Sequence, residues 1–286
     1  MKRQIIRAGT SFNTGLFVGA LIVGCGPAPE PSGPTDTGEP LPYETSRRVM
    51  HEVFTGSTCG PCFEADATLE GVLYENAGRY AVIKYQVGSD PYVSDEGVSR
   101  RMYYLPGKSS YSIPYVHADG LNGFHPSEVN DDAGYQQSDF DGFAEVPAVL
   151  ELSADISVEG QTVNWKVDVL PLSDVSSEDL VLHIGIAEGV TYNNIGTNGQ
   201  TEFHHVMKKM VPDEDGQSIA ALVRGSAISL EGAYTFQGEY AKDAAYGNEV
   251  QHDIEHTVEE FEDLGLVVWI QDETTWEVYQ AAWTFE

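Results

Sequence analysis

Cys59 and Cys62, separated only by Gly60-Pro61, are the residues whose type and spacing most directly suggest chemistry. Two thiols one helical turn apart can hold a disulfide, or act as a dithiol in which one sulfur attacks and the other resolves. Covalent haem attachment needs a histidine directly after the second cysteine, and Phe63 stands there. A zinc site needs two further ligands. His51, His117 and His125 are available, but none forms a paired ligand spacing. No cofactor is expected, and the pair is left as either a structural disulfide or a redox-active dithiol.

The elements around the pair favour exchange. Arg47 to Phe54 reads as a buried strand and Thr55 to Thr58 as a loop. Pro61, with its preset φ and no amide hydrogen, suits the first turn of a helix running on through Ala77. Ala65, Leu69, Val72 and Leu73 form its apolar stripe, Gly78 terminates it, and Tyr80 to Val87 reads as the next strand. Cys59 then sits at a helix N-terminus, where unpaired amides stabilise a thiolate.

Strand, Cys-Gly-Pro-Cys, helix and strand together resemble the thioredoxin superfamily. Ser112-Ile113-Pro114-Tyr115-Val116 resembles the element that this family places opposite its dithiol. The resemblance implies that Pro114 is cis and packs on the pair, that Cys59 attacks and Cys62 resolves, and that Gly60, Pro61 and the Ile113 backbone border a groove for a client peptide. Three departures stand out. Thr58 replaces the usual Trp, and Val53 occupies the place of a buried Asp, with Glu52 adjacent but facing the other way. Gly88 to Tyr111 is an insertion carrying Arg100-Arg101, which reads either as a client contact or as the solvated face of a helix. Glu52, Glu64 and Asp66 near the pair oppose thiolate formation, so Cys59 is expected to have a pKa above the value of about 7 found in thioredoxin.

From about Pro147 the pattern changes to short strands with period-two alternation, at 148–158, 162–170, 180–188, 228–240, 266–272 and 276–283. The expected fold is therefore an α/β thioredoxin-like domain, 43–147, followed by an antiparallel β-sandwich domain, 148–286. The second half has no cysteine, phosphate loop or nucleophile elbow, and reads as a binding or spacing unit. His204 and His205 are neighbours on a strand and point to opposite faces, so one is expected packed and the other exposed. Asp131-Asp132, Asp139 to Gly142, Asp213 to Gly216 and Glu259 to Asp263 read as solvated acidic turns. The whole resembles a narrower group, the outer-membrane-protein-28-related thioredoxin-like lipoproteins. The likeness lies in Glu52 to Cys59, in His205 to Pro212 (with Lys208 in place of an Arg), and in the closing segments Val267 to Asp272 and Val278 to Ala282.

The N-terminus explains where such a dithiol works. Lys2, Arg3 and Arg7 precede an apolar run of nine, Leu16 to Gly24, too short for the roughly 20 residues of a spanning helix and suited to a signal peptide. Residues 1–24 are read as a lipoprotein signal, with Cys25 as the lipidation site. Residues 25–42 hold six of the 14 prolines and form an extended linker. The chain of 286 residues carries 45 acidic against 15 basic side chains, a net charge of −30, and such a surface repels nucleic acid and anionic lipid. The expected protein is extracytoplasmic and lipid-anchored to a bacterial membrane, the outer one, on its periplasmic or surface face. It works as a thiol–disulfide oxidoreductase on protein or peptide disulfides and depends on a redox partner that the sequence does not name. The alternative is a non-enzymatic surface binding lipoprotein in which Cys59–Cys62 is a staple. A third possibility is a copper or haem delivery chaperone, against which the absence of nearby Met-rich or Cys-His pairs counts.

Overall fold

A computed structural model describes residues 45–108, 112–124, 134–241 and 248–285. The signal, the linker, Cys25, His125 and Asp131-Asp132 lie outside them. β1 (Val49–Thr55) leads into α1 (Cys62–Glu75), and β2 (Tyr80–Gln86) follows. Next come α2 (Asp95–Tyr103), β3 (Tyr115–Ala118), β4 (Asn122–Phe124) and α3 (Gln137–Ala144). The remainder is strand: β5 (Leu150–Glu159), β6 (Thr162–Pro171), β7 (Leu180–Thr191), β8 (Phe203–Val211), β9 (Gln217–Ser218), β10 (Ile228–Thr235), β11 (Glu239–Tyr240), β12 (Glu255–His256), β13 (Leu264–Asp272) and β14 (Val278–Trp283). The fold is mixed α/β and mostly sheet.

The expected boundary near Pro147 is not a boundary between sheets. A nine-stranded sheet runs in the order β14-β13-β7-β8-β2-β1-β3-β4, with β9 beside β7. β1 and β2 are parallel, in register from Val49↔Tyr80 to Thr55↔Gln86, and β3 is antiparallel to β1 with Val53 opposite Val116. The halves join where β8 lies parallel to β2 at Lys84↔Val206. A bare β2 edge would leave a row of backbone groups unpaired, and β8 occupies it. β10-β6-β5 form a separate antiparallel sheet stacked on β7 and β13. Burial matches these roles. β7 is buried at all but one position and β13 throughout, whereas β5 and β10 alternate. Strands covered on both faces need continuous apolar runs, and a one-sided sheet needs every second residue.

Three cores result. The first lies between the small sheet and β7–β13, around Val167, Leu182, Ile184, Leu266 and Val268. The second lines the concave side of the large sheet, which curls so that Trp269 and Val267 of β13 join Met50, Ile83 and Tyr85 of β1 and β2. Gly185 makes room there, because a Cβ would stand 2.3 Å from Ile83 Cδ1 and that side chain would have to shift. The third holds α1 and α3 on the other face of β1–β2–β3, through Leu69, Leu73 and Phe140 against Val49, Val53 and Val82.

The insertion forms α2, whose first turn is capped by Ser94 accepting from the Gly97 amide at 3.2 Å. Arg100 neither contacts solvent nor offers itself to a client. It is 2% exposed, and its Nε and Nη2 donate to Glu52 Oε1 and Oε2 at 3.0 and 2.8 Å. Tyr85 donates to the same carboxylate at 2.8 Å, as does Tyr104, and Gln271 accepts from Arg100 at 3.0 Å. Burial alone would raise the Glu52 pKa, but the Arg100 charge and these bonds outweigh it and hold the carboxyl below its usual range. Glu52 does face away from Val53, as alternation along the strand requires.

His117 stacks on Tyr104 with ring centroids 3.9 Å apart, and its buried Nδ1 has no hydrogen-bond partner. Burial, only partly offset by the Glu52 charge, lowers its pKa to about 4. A histidine with a depressed folded pKa binds its proton first in the unfolded chain. Stability therefore falls as pH drops from the unfolded value of about 6.5 towards 4. His117→Phe keeps the ring and removes the titration. Its stability relative to wild type should improve by about 2 kcal/mol between pH 7 and pH 5. Urea denaturation at the two pH values checks this, and an unchanged difference would refute it.

Candidate functional site

β1 delivers the chain to Thr55, a tight loop follows, and α1 starts at Cys62. The Cys59 amide donates to the Gly56 carbonyl at 3.0 Å, and the Cys62 amide to the Cys59 carbonyl at 3.2 Å. Pro61 caps the helix at φ −71°, its carbonyl accepting from the Ala65 amide at 3.2 Å, one position earlier than the first turn expected from the sequence. The two sulfurs form a disulfide with the Cα atoms 5.4 Å apart. Cys62 is fully buried, Cys59 half-buried, and Gly60 and Pro61 exposed. One sulfur can be reached from solvent and its partner cannot.

Ile113–Pro114 is cis, and Pro114 is buried. The Ile113 carbonyl oxygen lies 3.6 Å from Cys59 Sγ, where it can accept from a reduced thiol, whereas the disulfide sulfur has no proton to donate. The Ile113 side chain closes over the loop, 3.5 Å from where a Cβ on Gly56 would stand. Cys59, Gly60, Pro61 and Cys62 form one loop and helix start, and Ile113, next to Pro114, lies against it.

The acids near the pair are arranged differently from the expectation. Glu52 is committed to Arg100 on the opposite face of the sheet, and Glu64 is exposed. Asp66 is 3% exposed and follows Cys62 by one turn on the same helical face, where side chains lean back towards the N-terminus. Lys84 Nζ lies 3.6 Å from Asp66 Oδ2 and 2.6 Å from Glu70 Oε1. Burial raises the Asp66 pKa; Lys84 pulls it down and Glu70 pushes it up. Lys84 is held protonated because the two carboxylates outweigh its burial. The acidic charge one turn after Cys62 is thus matched by a buried ammonium.

The β7–β8 loop also builds the site, and the sequence reading had not included it. The Thr197 and Asn198 amides both donate to the Ser57 carbonyl at 2.9 Å, and Asn198 Nδ2 donates to the Gly56 carbonyl at 3.4 Å. Gln200 Nε2 donates to Asp66 Oδ2 at 3.3 Å. On its other side, the Ser57 amide donates to Asp90 Oδ2 at 2.7 Å. Burial of Asp90 raises its pKa against the pull of these bonds. The only advance signal was the density of Asn and Gly from Asn193 to Gly199, which any loop shares.

With this geometry in place, solved structures provide a comparison. In fold, the chain is similar to HBP35 of Porphyromonas gingivalis. The TM-score is 0.60 at 12% identity, over 84% of this chain and 75% of that one. A structural-genomics protein from Agrobacterium tumefaciens matches with a TM-score of 0.46 at 15% identity, over 73% of this chain and 98% of that one. No protein-family model matches the chain, and no curated protein matches it. At 12% identity, the likeness to HBP35 is one of fold alone.

The remaining candidates do not join the site. His51 is buried against Tyr135, with Nε2 at 2.7 Å from its hydroxyl, and His117 lies behind β1 on Tyr104. His205 packs on Trp283 and Phe285, each 5.0 Å away between ring centroids, while the His204 side chain is 37% exposed. That division is the one expected of neighbours on a strand. Among the described residues no helix is long and apolar enough to cross a membrane.

Proposed function

We propose that the protein is a lipid-anchored, extracytoplasmic thiol–disulfide oxidoreductase acting on protein or peptide disulfides. The observation that carries this reading is the asymmetry of the pair. Cys59 is half-buried beside the Ile113 carbonyl, and Cys62 is wholly buried one turn into α1. On this reading residues 43–147 are a thioredoxin-like unit, and the small sheet stacked on β7 and β13 is the sandwich part of 148–286. The chain is then a relative of the outer-membrane-protein-28-related lipoproteins, tethered through Cys25 by the Pro-rich linker.

In the reduced protein, the Cys59 thiolate attacks one sulfur of a client disulfide. A mixed disulfide forms and the first client thiolate leaves. Cys62 then gives its proton to Asp66, the buried carboxylate on its own helical face, and attacks Cys59 Sγ. The second client thiolate leaves, Cys59–Cys62 is oxidised, and two electrons have passed to the client. Run backwards, the same steps oxidise a client dithiol. Burial raises the Asp66 pKa and Lys84 only partly offsets it, which suits this carboxylate to take a proton, and Pro114 shapes the groove.

The second reading is a surface binding lipoprotein with a permanent Cys59–Cys62 staple. The grip of Asp90 and the β7–β8 loop on Ser57 favours it, because a loop held on both sides resists rearrangement. The reduction potential separates the two. Purified protein equilibrated with graded dithiothreitol or glutathione, alkylated and weighed, should give a value above about −300 mV, reached quickly. A much lower value, or a pair that barely exchanges, would establish the staple.

A further inference from the structure

The β7–β8 loop is pressed backbone to backbone against the segment before Cys59. A Cβ on Gly196 would stand 2.4 Å from the Ser57 carbonyl oxygen and 2.6 Å from its carbon, so only glycine permits this approach. The far end of the loop is tied down as well, since the Tyr192 and Asn193 amides donate to the Glu259 carboxylate at 3.0 and 2.7 Å. A segment from the β-rich half is therefore fixed beside the reachable sulfur. It carries Ile195, next to Gly196 and 46% exposed. From the other side, the first turn of α1 carries Phe63, 47% exposed. Ile113 supplies a third apolar side chain over Gly56. Ile195 thus adjoins the backbone that presses on Ser57, two residues before Cys59, Phe63 directly follows Cys62, and Ile113 lies over Gly56. Around them the charge is negative: Glu64 beside Phe63 and Glu202 two residues past Gln200 are both exposed, on a chain of net charge −30.

We propose that Ile195 and Phe63 form a selecting rim around Cys59, favouring disulfides in extended polypeptide segments with apolar and basic residues beside the cysteine. This rests on the oxidoreductase reading and adds to it that the second half of the chain chooses the client. An apolar client residue covers Ile195 and Phe63, and a neighbouring lysine or arginine meets Glu64 and Glu202. A small acidic disulfide such as oxidised glutathione gains neither contact.

The test uses full-length protein in detergent and two substrates: a synthetic peptide disulfide flanked by leucine and lysine, and oxidised glutathione. The readout is the ratio of their kcat/KM values. Ile195→Asn and, separately, Ile195→Ser should lower that ratio about tenfold, the scale set by losing burial of part of one large aliphatic side chain. Replacing the peptide's lysines by glutamates should also lower it, and 0.5 M salt should shrink that difference. A ratio unchanged within about twofold in both variants overturns the rim, including the case where both rates fall together because the loop has been damaged. Wild-type protein inert towards both substrates overturns the oxidoreductase reading itself, and the rim with it.

Discussion

Arg100→Met is expected to destabilise the protein by about 3–5 kcal/mol at pH 7, the range for removing one partner of a buried ion pair. Arg100 lies in the concave core over the Trp269 ring, 5.6 Å from its centroid, and supplies the only cation bonded to the Glu52 carboxylate among the described residues. Methionine fills much of the volume but leaves Glu52, 1% exposed, with only the Tyr85 and Tyr104 hydroxyls as donors. A typical domain is stable by 5–15 kcal/mol, so the loss would bring this one near unfolding. The sign with pH follows from the depressed Glu52 pKa. A lowered carboxyl contributes stability above its unfolded pKa of about 4.3 and loses it as pH falls through the folded value. The gap between wild type and Arg100→Met should therefore narrow on acidification below pH 5. Glu52→Gln/Arg100→Met, which removes both charges, should recover at least half of the loss. Urea denaturation at pH 7 reads all three. A loss under about 1 kcal/mol for Arg100→Met would mean that water reaches Glu52 and replaces its partner.

That ion pair also marks where sequence reasoning stopped. Alternation put Glu52 on the face away from Val53, and a helix was one of two readings for the insertion holding Arg100. Nothing in the order of residues says that these two, 48 positions apart, meet. Charge pairing across a core depends on which strands are neighbours, and period-two patterning gives the face of each side chain without naming the adjacent strand. The Cys59–Cys62 pair and its supports were legible because they are local: the apolar stripe of α1, Pro61 at its start and Gly78 after its end lie within one stretch of chain. Ile113-Pro114 was legible only through the family resemblance. A boundary near Pro147 followed from the change of period there. Yet Leu180 to Ala187 and Leu264 to Ile270 are nearly continuous apolar runs, the mark of strands covered on both faces. Weighed as such, they argued against a simple two-sheet sandwich with one wet face per strand, and for strands inside a larger sheet.

The site was read as complete within the first half, and its dependence on the second half is what a further buried pair can test. Lys208→Met is expected to cost about 3–5 kcal/mol and also to loosen the loop that bounds Cys59. Lys208 and Glu188 are both fully buried, with Nζ 3.0 Å from Oε2. Lys208 Nζ also donates to the Thr257 carbonyl at 2.7 Å and lies 4.0 Å from the centroid of the Tyr92 ring. Glu188 accepts from the Glu259 amide at 3.1 Å and from the Glu260 amide. The pair therefore pins residues 257–260, and the Glu259 side chain in turn holds the Tyr192 and Asn193 amides at the start of the β7–β8 loop. From there the backbone reaches Thr197 and Asn198, which grip Ser57. Methionine at 208 leaves a buried carboxylate with amides but no cation, and residues 257–260 lose the bond to Thr257. Hydrogen exchange at the Thr197 and Asn198 amides should then rise more than the overall loss of stability explains, while amides in β5 and β6 follow the global change. Glu188→Met/Lys208→Met should regain much of the stability without restoring slow exchange in the loop, because it also removes the carboxylate that anchors the Glu259 and Glu260 amides. If Lys208→Met loses stability but the loop amides exchange in step with β5 and β6, the loop beside Cys59 does not depend on this pair, and among the described residues the two halves are joined at the site by the direct bonds to Gly56, Ser57 and Asp66.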